Sequence, residues 1–190
     1  MTVPFLVDWT QIPAPVDDGA ASHLIGQPWP AIALPATDGS RVDISSLNGL
    51  SVIYIYPMTA VPGIPLPDGW DMLPGARGCT PQSCSFRDHY AELRELDVSY
   101  LFGMSVQDTE YQAEAAERLH LPFTLLSDAG FRVAESLRLP TFEIAGMHLL
   151  RRLTLIVRDG TIIHSFYPVF PPDQNATQVM TWLKQSQSKH

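Results

Sequence analysis

The sequence predicts an α/β sandwich whose central mixed β-sheet is flanked by helices, and three observations point there. Two apolar, β-rich runs, Ser51-Val52-Ile53-Tyr54-Ile55-Tyr56 and Tyr100-Leu101-Phe102-Gly103-Met104-Ser105, lack polar alternation. That pattern belongs to strands buried on both faces. Segments of helical spacing separate the strands, and the chain closes on a hairpin followed by a helix. Strands that alternate with helices and end in an antiparallel pair require a sheet of mixed direction.

Residues 1–30 carry Pro4, Pro13, Pro15, Pro28 and Pro30 and read as an irregular N-terminal arm, with one domain over 31–190. Thr37-Asp38-Gly39-Ser40 between two short apolar runs predicts an N-terminal hairpin. Pro62, Pro65, Pro67 and Pro74 make 58–78 a proline-rich loop insertion. A loop that long in one domain is expected to be functional, and its Trp70 to pack down onto the domain. Phe86, Tyr90, Leu93 and Leu96 then recur at helical spacing, with Thr80 as the expected N-cap and Pro81 as the first helical residue. A helix over 108–120 has Thr109 and Gln112 in capping-box spacing, and a shorter one is expected over 131–137. Pro140, in Leu139-Pro140-Thr141, reads as a loop proline. Arg158-Asp159-Gly160-Thr161 joins the clearest pair of strands, and Ala176, Val179, Met180 and Leu183 mark a final helix over 175–184. Asn175-Ala176-Thr177 is read as that helix's cap and not as a glycosylation triplet.

Composition narrows the function. A formal charge of −8 argues against nucleic acid and anionic membrane as partners. No apolar run reaches the ~18 residues of a membrane span, and the first residues lack a basic stretch ahead of an apolar one. A reducing, cytoplasmic setting is therefore expected. There a close cysteine pair is more often catalytic or metal-binding than a structural staple.

The chain has two cysteines, Cys79 and Cys84, both at the expected start of the helix that follows the proline-rich loop. Unpaired N–H groups at a helix N-terminus stabilise a thiolate, which is the reactive form. In a regular helix the two Cα atoms would stand roughly 8.6 Å apart, beyond the ~7 Å a disulfide spans. A bond between them thus requires the first turn to unwind. A static staple that breaks its own helix is a poor reading, whereas a nucleophile with a resolving partner can use local unfolding. Three other readings stand beside it: an unreactive buried pair, a metal site short of two ligands, and a Cys–His hydrolase using His89.

The segment Gly78-Cys79-Thr80-Pro81-Gln82-Ser83-Cys84-Ser85-Phe86-Arg87-Asp88 resembles the active-site motif of the peroxiredoxins, in particular the peroxiredoxin Q or bacterioferritin-comigratory class. The resemblance runs from the Asp38-Gly39 hairpin to Trp182-Leu183. It implies a thioredoxin-like fold and a thiol-dependent peroxidase acting on hydrogen peroxide and organic hydroperoxides, without a cofactor or metal. It also implies an atypical two-cysteine cycle, with Cys79 as peroxidatic cysteine, Cys84 as resolving cysteine in an intramolecular disulfide, and a thioredoxin-like or glutaredoxin-like donor. Arg152 resembles the arginine that holds thiolate and peroxide. Arg151 is its neighbour, but consecutive strand residues face opposite ways. Gln82 matches a position of Glu or Gln that could orient the arginine. The family's proline and threonine, seven and three residues before the cysteine, are replaced here by Met72 and Ala76. Thr59, beyond Tyr56-Pro57, is expected to supply the hydroxyl once the insertion bulges out. The state implied is a monomer or weak homodimer. A thiol-disulfide sensor using the 58–78 loop as a docking surface, a thioredoxin-like oxidoreductase, and a structural or chaperone-like protein are the rival readings.

Overall fold

The computed structural model describes residues 7–189; residues 1–6 of the expected arm lie outside it. Two short strands, β1 (Leu34–Pro35) and β2 (Arg41–Val42), pair antiparallel as the Asp-Gly signal requires. The main sheet has five strands in the order β5-β4-β3-β8-β9. β3 (Leu50–Ile55) lies at its centre with every residue buried. β4 (Val98–Ser105) pairs parallel with β3 on one side, and β8 (Leu153–Arg158) antiparallel on the other. β5 (Leu125–Ser127) extends the parallel half and β9 (Thr161–Phe166) the antiparallel half.

Both faces of β3 meet apolar layers, which is why its sequence does not alternate. Ile53 and Ile55 join Leu153, Leu155 and the buried side of α4 (Arg132–Leu137). Val52 and Tyr54 face α1 (Cys79–Asp88), α2 (Tyr90–Glu95) and α5 (Asn175–Gln187) through Phe86, Leu93, Val179 and Leu183. Tyr54 stacks on Phe86 with ring centroids 4.6 Å apart, and its hydroxyl donates to Ser83 Oγ at 3.0 Å. The stack holds α1 against the middle of the sheet. α3 (Thr109–Arg118) lies between β4 and β5 in the chain.

Several local expectations are corrected. The helix read through 86–96 is interrupted at His89, whose φ of −102° and ψ of 11° leave helical geometry and divide α1 from α2. The cap of α1 is Gly78, not Thr80, so Thr80 and Pro81 lie inside the first turn. The cap of α3 is Asp108, whose Oδ1 accepts from Tyr111 N at 2.8 Å. Gln112 is no capping-box partner of Thr109. It is buried, donates to Leu126 O at 2.9 Å and accepts from the Tyr56 hydroxyl at 2.6 Å. Pro140 lies in loop as expected, and a second antiparallel pair, β6 (Thr141–Ile144) and β7 (Met147–Leu150), follows it where no element was expected. It turns at Ala145-Gly146, both with positive φ.

That small sheet supports segment 58–78. Trp70, in a short 3-10 turn over Trp70–Met72, is buried against Leu149 and Ala76, with Phe142 and Met147 packed on the cluster. At the opposite edge, Gly26 N donates to Ile162 O and Trp29 N to Gly160 O, each at 2.8 Å. Residues 24–29 thereby run along β9, with Leu24 and Trp29 buried. Among the described residues no helix is long and apolar enough to cross a membrane.

Candidate active site

α1 begins where the chain can approach its neighbours only as glycine. Gly78 has φ of 114°, and a Cβ there would lie 2.5 Å from Pro172 Cγ and 2.8 Å from Trp9 Cη2. This close contact fixes the N-terminus of α1 against the 3-10 turn Pro172–Gln174 that leads into α5. Cys79 is the first residue of the helix and is 4% exposed. Its sulfur faces Ala76 O at 3.7 Å and the Arg152 Nη2 donor at 3.2 Å.

Arg152 precedes β8 and is almost fully buried. The same Nη2 donates to the carbonyls of Ala76 and Arg77 at 3.0 and 3.3 Å, and Nη1 donates to Gln82 Oε1 at 2.5 Å. The fork of the guanidinium therefore spans the chain before Cys79, the sulfur, and the first turn after it. A permanent positive charge stands against the sulfur, and no carboxylate among the described residues pairs with it. Arg151 turns the other way, its guanidinium 5.7 Å from the Phe142 ring centroid. The two arginines sit between β7 and β8, outside either strand, and their side chains meet different neighbours.

Gln82 is buried and does not stop at the arginine. Its Nε2 donates to Asn175 Oδ1 at 3.0 Å, and the same oxygen accepts from Thr154 Oγ1 at 2.6 Å. Asn175 is thus not the cap expected for the last helix: Gln174 holds that position, and Asn175 is fully buried in the first turn of α5. Sequence reasoning missed Asn175 and Thr154 as members of the site. A signal existed for each. Asn175 shares a helix face with buried Val179 and Leu183 at four-residue spacing, and Thr154 alternates in step with Arg152 and Ile156.

Thr59 lies in the segment that follows β3 and is 1% exposed. Its carbonyl accepts from the Tyr111 hydroxyl at 2.5 Å, but its own hydroxyl has no partner among the described residues. Burial, then the charge of a Cys79 thiolate, push the Tyr111 hydroxyl above its ordinary range. The flanking residues Met58 and Ala60 line a cleft of about 260 Å³ that opens onto Cys79. Leu66, Trp70, Arg77 and Pro81 complete much of its wall. The cleft is large enough for a small peroxide with an organic substituent.

Cys84 lies in the same unbroken helix as Cys79, half-buried, and both thiols are free. Burial pushes the Cys84 thiol up, with Arg87 and Arg118 opposing and Asp88 adding to the rise. Helical geometry holds the two Cα atoms roughly 8.6 Å apart. His89 is engaged with Glu92 Oε1 at 3.2 Å. No group of three or more His, Cys, Asp or Glu side chains among the described residues is arranged to hold a metal ion.

Comparison with known proteins agrees with this arrangement. The model of the Redoxin family matches residues 24–180. Peroxiredoxin Bcp of Escherichia coli strain K12 is 32% identical over 165 residues, covering 82% of this chain and 92% of that protein. The chloroplastic peroxiredoxin Q of Suaeda salsa is 27% identical over 156 residues, and the match spans just 65% of the plant protein's length. Among solved structures, peroxidoxin BcpB from Mycobacterium tuberculosis superposes with a TM-score of 0.68 at 25% identity, covering 86% of this chain and 98% of that one. A peroxiredoxin Q mutant from Xylella fastidiosa gives 0.70 at 16% identity over 87% and 98%, a likeness of the thioredoxin-like fold. With a cysteine at a helix start, an arginine on its sulfur and a family match across most of its length, the chain belongs to the Redoxin family and is a peroxiredoxin of the Q/Bcp type.

Proposed function

We propose that the protein is a thiol-dependent peroxidase of the atypical two-cysteine kind, with Cys79 as attacking and Cys84 as resolving cysteine. The observation that carries this reading is the Arg152 guanidinium 3.2 Å from a cysteine sulfur at the mouth of a cleft. The Cys79 thiolate attacks the terminal oxygen of hydrogen peroxide or an organic hydroperoxide. The S–O bond forms as the O–O bond breaks, sulfur loses two electrons, and the departing alkoxide or hydroxide leaves as alcohol or water after protonation. Arg152 and the first-turn N–H groups stabilise the charge that develops on oxygen. The unpartnered Thr59 hydroxyl is available to hydrogen-bond the peroxide. Gln82 holds Arg152 through Nη1.

Cys84 then attacks the sulfenic acid sulfur, giving the Cys79–Cys84 disulfide and water, and the first turn of α1 unwinds to bring them together. A thioredoxin-like or glutaredoxin-like dithiol reduces the disulfide, in a reducing compartment such as the cytoplasm. On this reading 31–190 is the catalytic domain, 58–78 an insertion that walls the cleft, and 1–30 an arm. The test is peroxide consumption with a thioredoxin donor. Cys79→Ser is expected to abolish it, and Cys84→Ser to permit a single turnover before stalling. Full activity in Cys79→Ser would end the reading.

A further inference from the structure

The segment that must unwind for the disulfide to form contains Gln82, and Gln82 is tied on both sides of its amide. Its Oε1 accepts from Arg152, which has donors only, so its Nε2 must face the other way, toward Asn175 Oδ1. Thr154 donates to that same oxygen from the central sheet. All four side chains are buried, where a polar group released without a partner is costly. Lifting the first turn of α1 therefore breaks the Gln82–Asn175 bond as well as the Gln82–Arg152 bond. Water must then reach groups that the folded site keeps dry.

We propose that Asn175 and Thr154 are positioning residues that latch the first turn of α1 through Gln82, and so set how the oxidised enzyme divides between two fates. The inference rests on the peroxidase reading above. In one fate, Cys79 sulfenic acid and the Cys84 thiol form the disulfide and release water, which needs the turn unwound. In the other, the sulfenic acid, still folded beneath Arg152, is oxidised by a second peroxide to sulfinic acid, and that peroxide leaves as alcohol or water. A tight latch prolongs the folded sulfenic acid and favours the second fate. A loose latch favours the first, at the expense of a less firmly held arginine.

The variants are Asn175→Ala and Thr154→Val, each of which removes one strand of the latch, and Thr154→Ser, which keeps the hydroxyl. Each lost hydrogen bond is expected to change rates about fivefold. Stopped-flow tryptophan fluorescence with hydrogen peroxide reads the first oxidation and the resolution step. Intact-protein mass spectrometry at rising peroxide reads the ratio of disulfide to sulfinic acid at Cys79. The latch predicts opposite signs: first oxidation slower, resolution faster, and the peroxide concentration for half-conversion to sulfinic acid about fivefold higher. Thr154→Ser should keep the parental division. A merely structural role would slow both steps together.

Amide hydrogen exchange on the reduced proteins supplies an arm that needs no peroxide. Residues 80–84 should exchange about fivefold faster in Asn175→Ala and Thr154→Val, with β4 unchanged as internal control. Failure of the peroxidase reading would show as no disulfide in the unaltered protein. Failure of the latch would show as unaltered exchange across 80–84, or as both steps slowing.

Discussion

Replacing Arg152 with methionine tests the centre of the site, because methionine fills a similar length without charge or donors. The guanidinium makes four contacts: the Cys79 sulfur, the carbonyls of Ala76 and Arg77, and Gln82 Oε1. Losing a preorganised donor at a developing oxyanion costs about 10²- to 10³-fold in rate, or roughly 2.7 to 4 kcal/mol. The second-order rate of Cys79 oxidation is therefore expected to fall by that factor. Two buried acceptors, Ala76 O and Gln82 Oε1, are orphaned at ~1 kcal/mol or more each and the part-buried Arg77 O at less, partly offset because a desolvated cation is no longer buried. A net stability loss of about 2 kcal/mol follows, too small to unfold an ordinary domain. Arg152→Lys keeps the charge but not the fork, and should fall roughly tenfold to a hundredfold. Stopped-flow oxidation of the reduced variants measures the rates, and urea unfolding shows that each is folded. A methionine variant that is folded and oxidises within about threefold of the parent would refute the role given to the arginine.

Thr59→Val removes a buried hydroxyl that has no partner. It should leave stability equal or raise it by up to ~1 kcal/mol, while slowing peroxide oxidation about tenfold; a stability loss with unchanged rate would contradict this. Gly78→Ala must place a Cβ 2.5 Å from Pro172 Cγ at a φ of 114°. Strain and overpacking together should lower stability by about 2–4 kcal/mol in urea denaturation. In a Cys79→Ser background, the alkylation of Cys84 by iodoacetamide should have its pH midpoint above the ordinary 9.0, since burial disfavours the thiolate. Because the folded value is raised, Cys84's contribution to stability is present below the unfolded value and fades as pH climbs through the folded one. A midpoint at or below 9.0 would count against the buried setting of this thiol.

Strands β3, β4 and β8 were legible because they are largely apolar and buried, and the last hairpin because Asp159-Gly160 supplies the turn; the three-residue β5 was too short to read. The pair β6 and β7 was not. Thr141-Phe142-Glu143-Ile144 and Met147-His148-Leu149-Leu150 are short and partly polar, and Ala145-Gly146 is a weaker turn signal than Asp-Gly. The position of α1 followed from its cysteines and proline, but its cap did not. Thr80 satisfies a local preference, whereas Gly78 is selected by the long-range approach of Pro172 and Trp9. Asn175 shows the same limit from another side. As a lone residue before a helix it reads as a cap, and its partners are 93 and 21 residues away in the chain.

Two of the four contacts of Arg152 go to main-chain oxygens, those of Ala76 and Arg77. A carbonyl offers the same lone pairs whatever side chain its residue carries. The ground just before Cys79 is consequently read by shape and not by spelling. The side chain at position 77, partly exposed, takes no part in this contact, while position 76 is confined to small residues by its burial. The hold of Arg152 on residues 76 and 77 thus depends on the path of the chain and not on the side chains it carries there. Comparisons of letters will undervalue such a segment, and comparisons of backbone paths will find it.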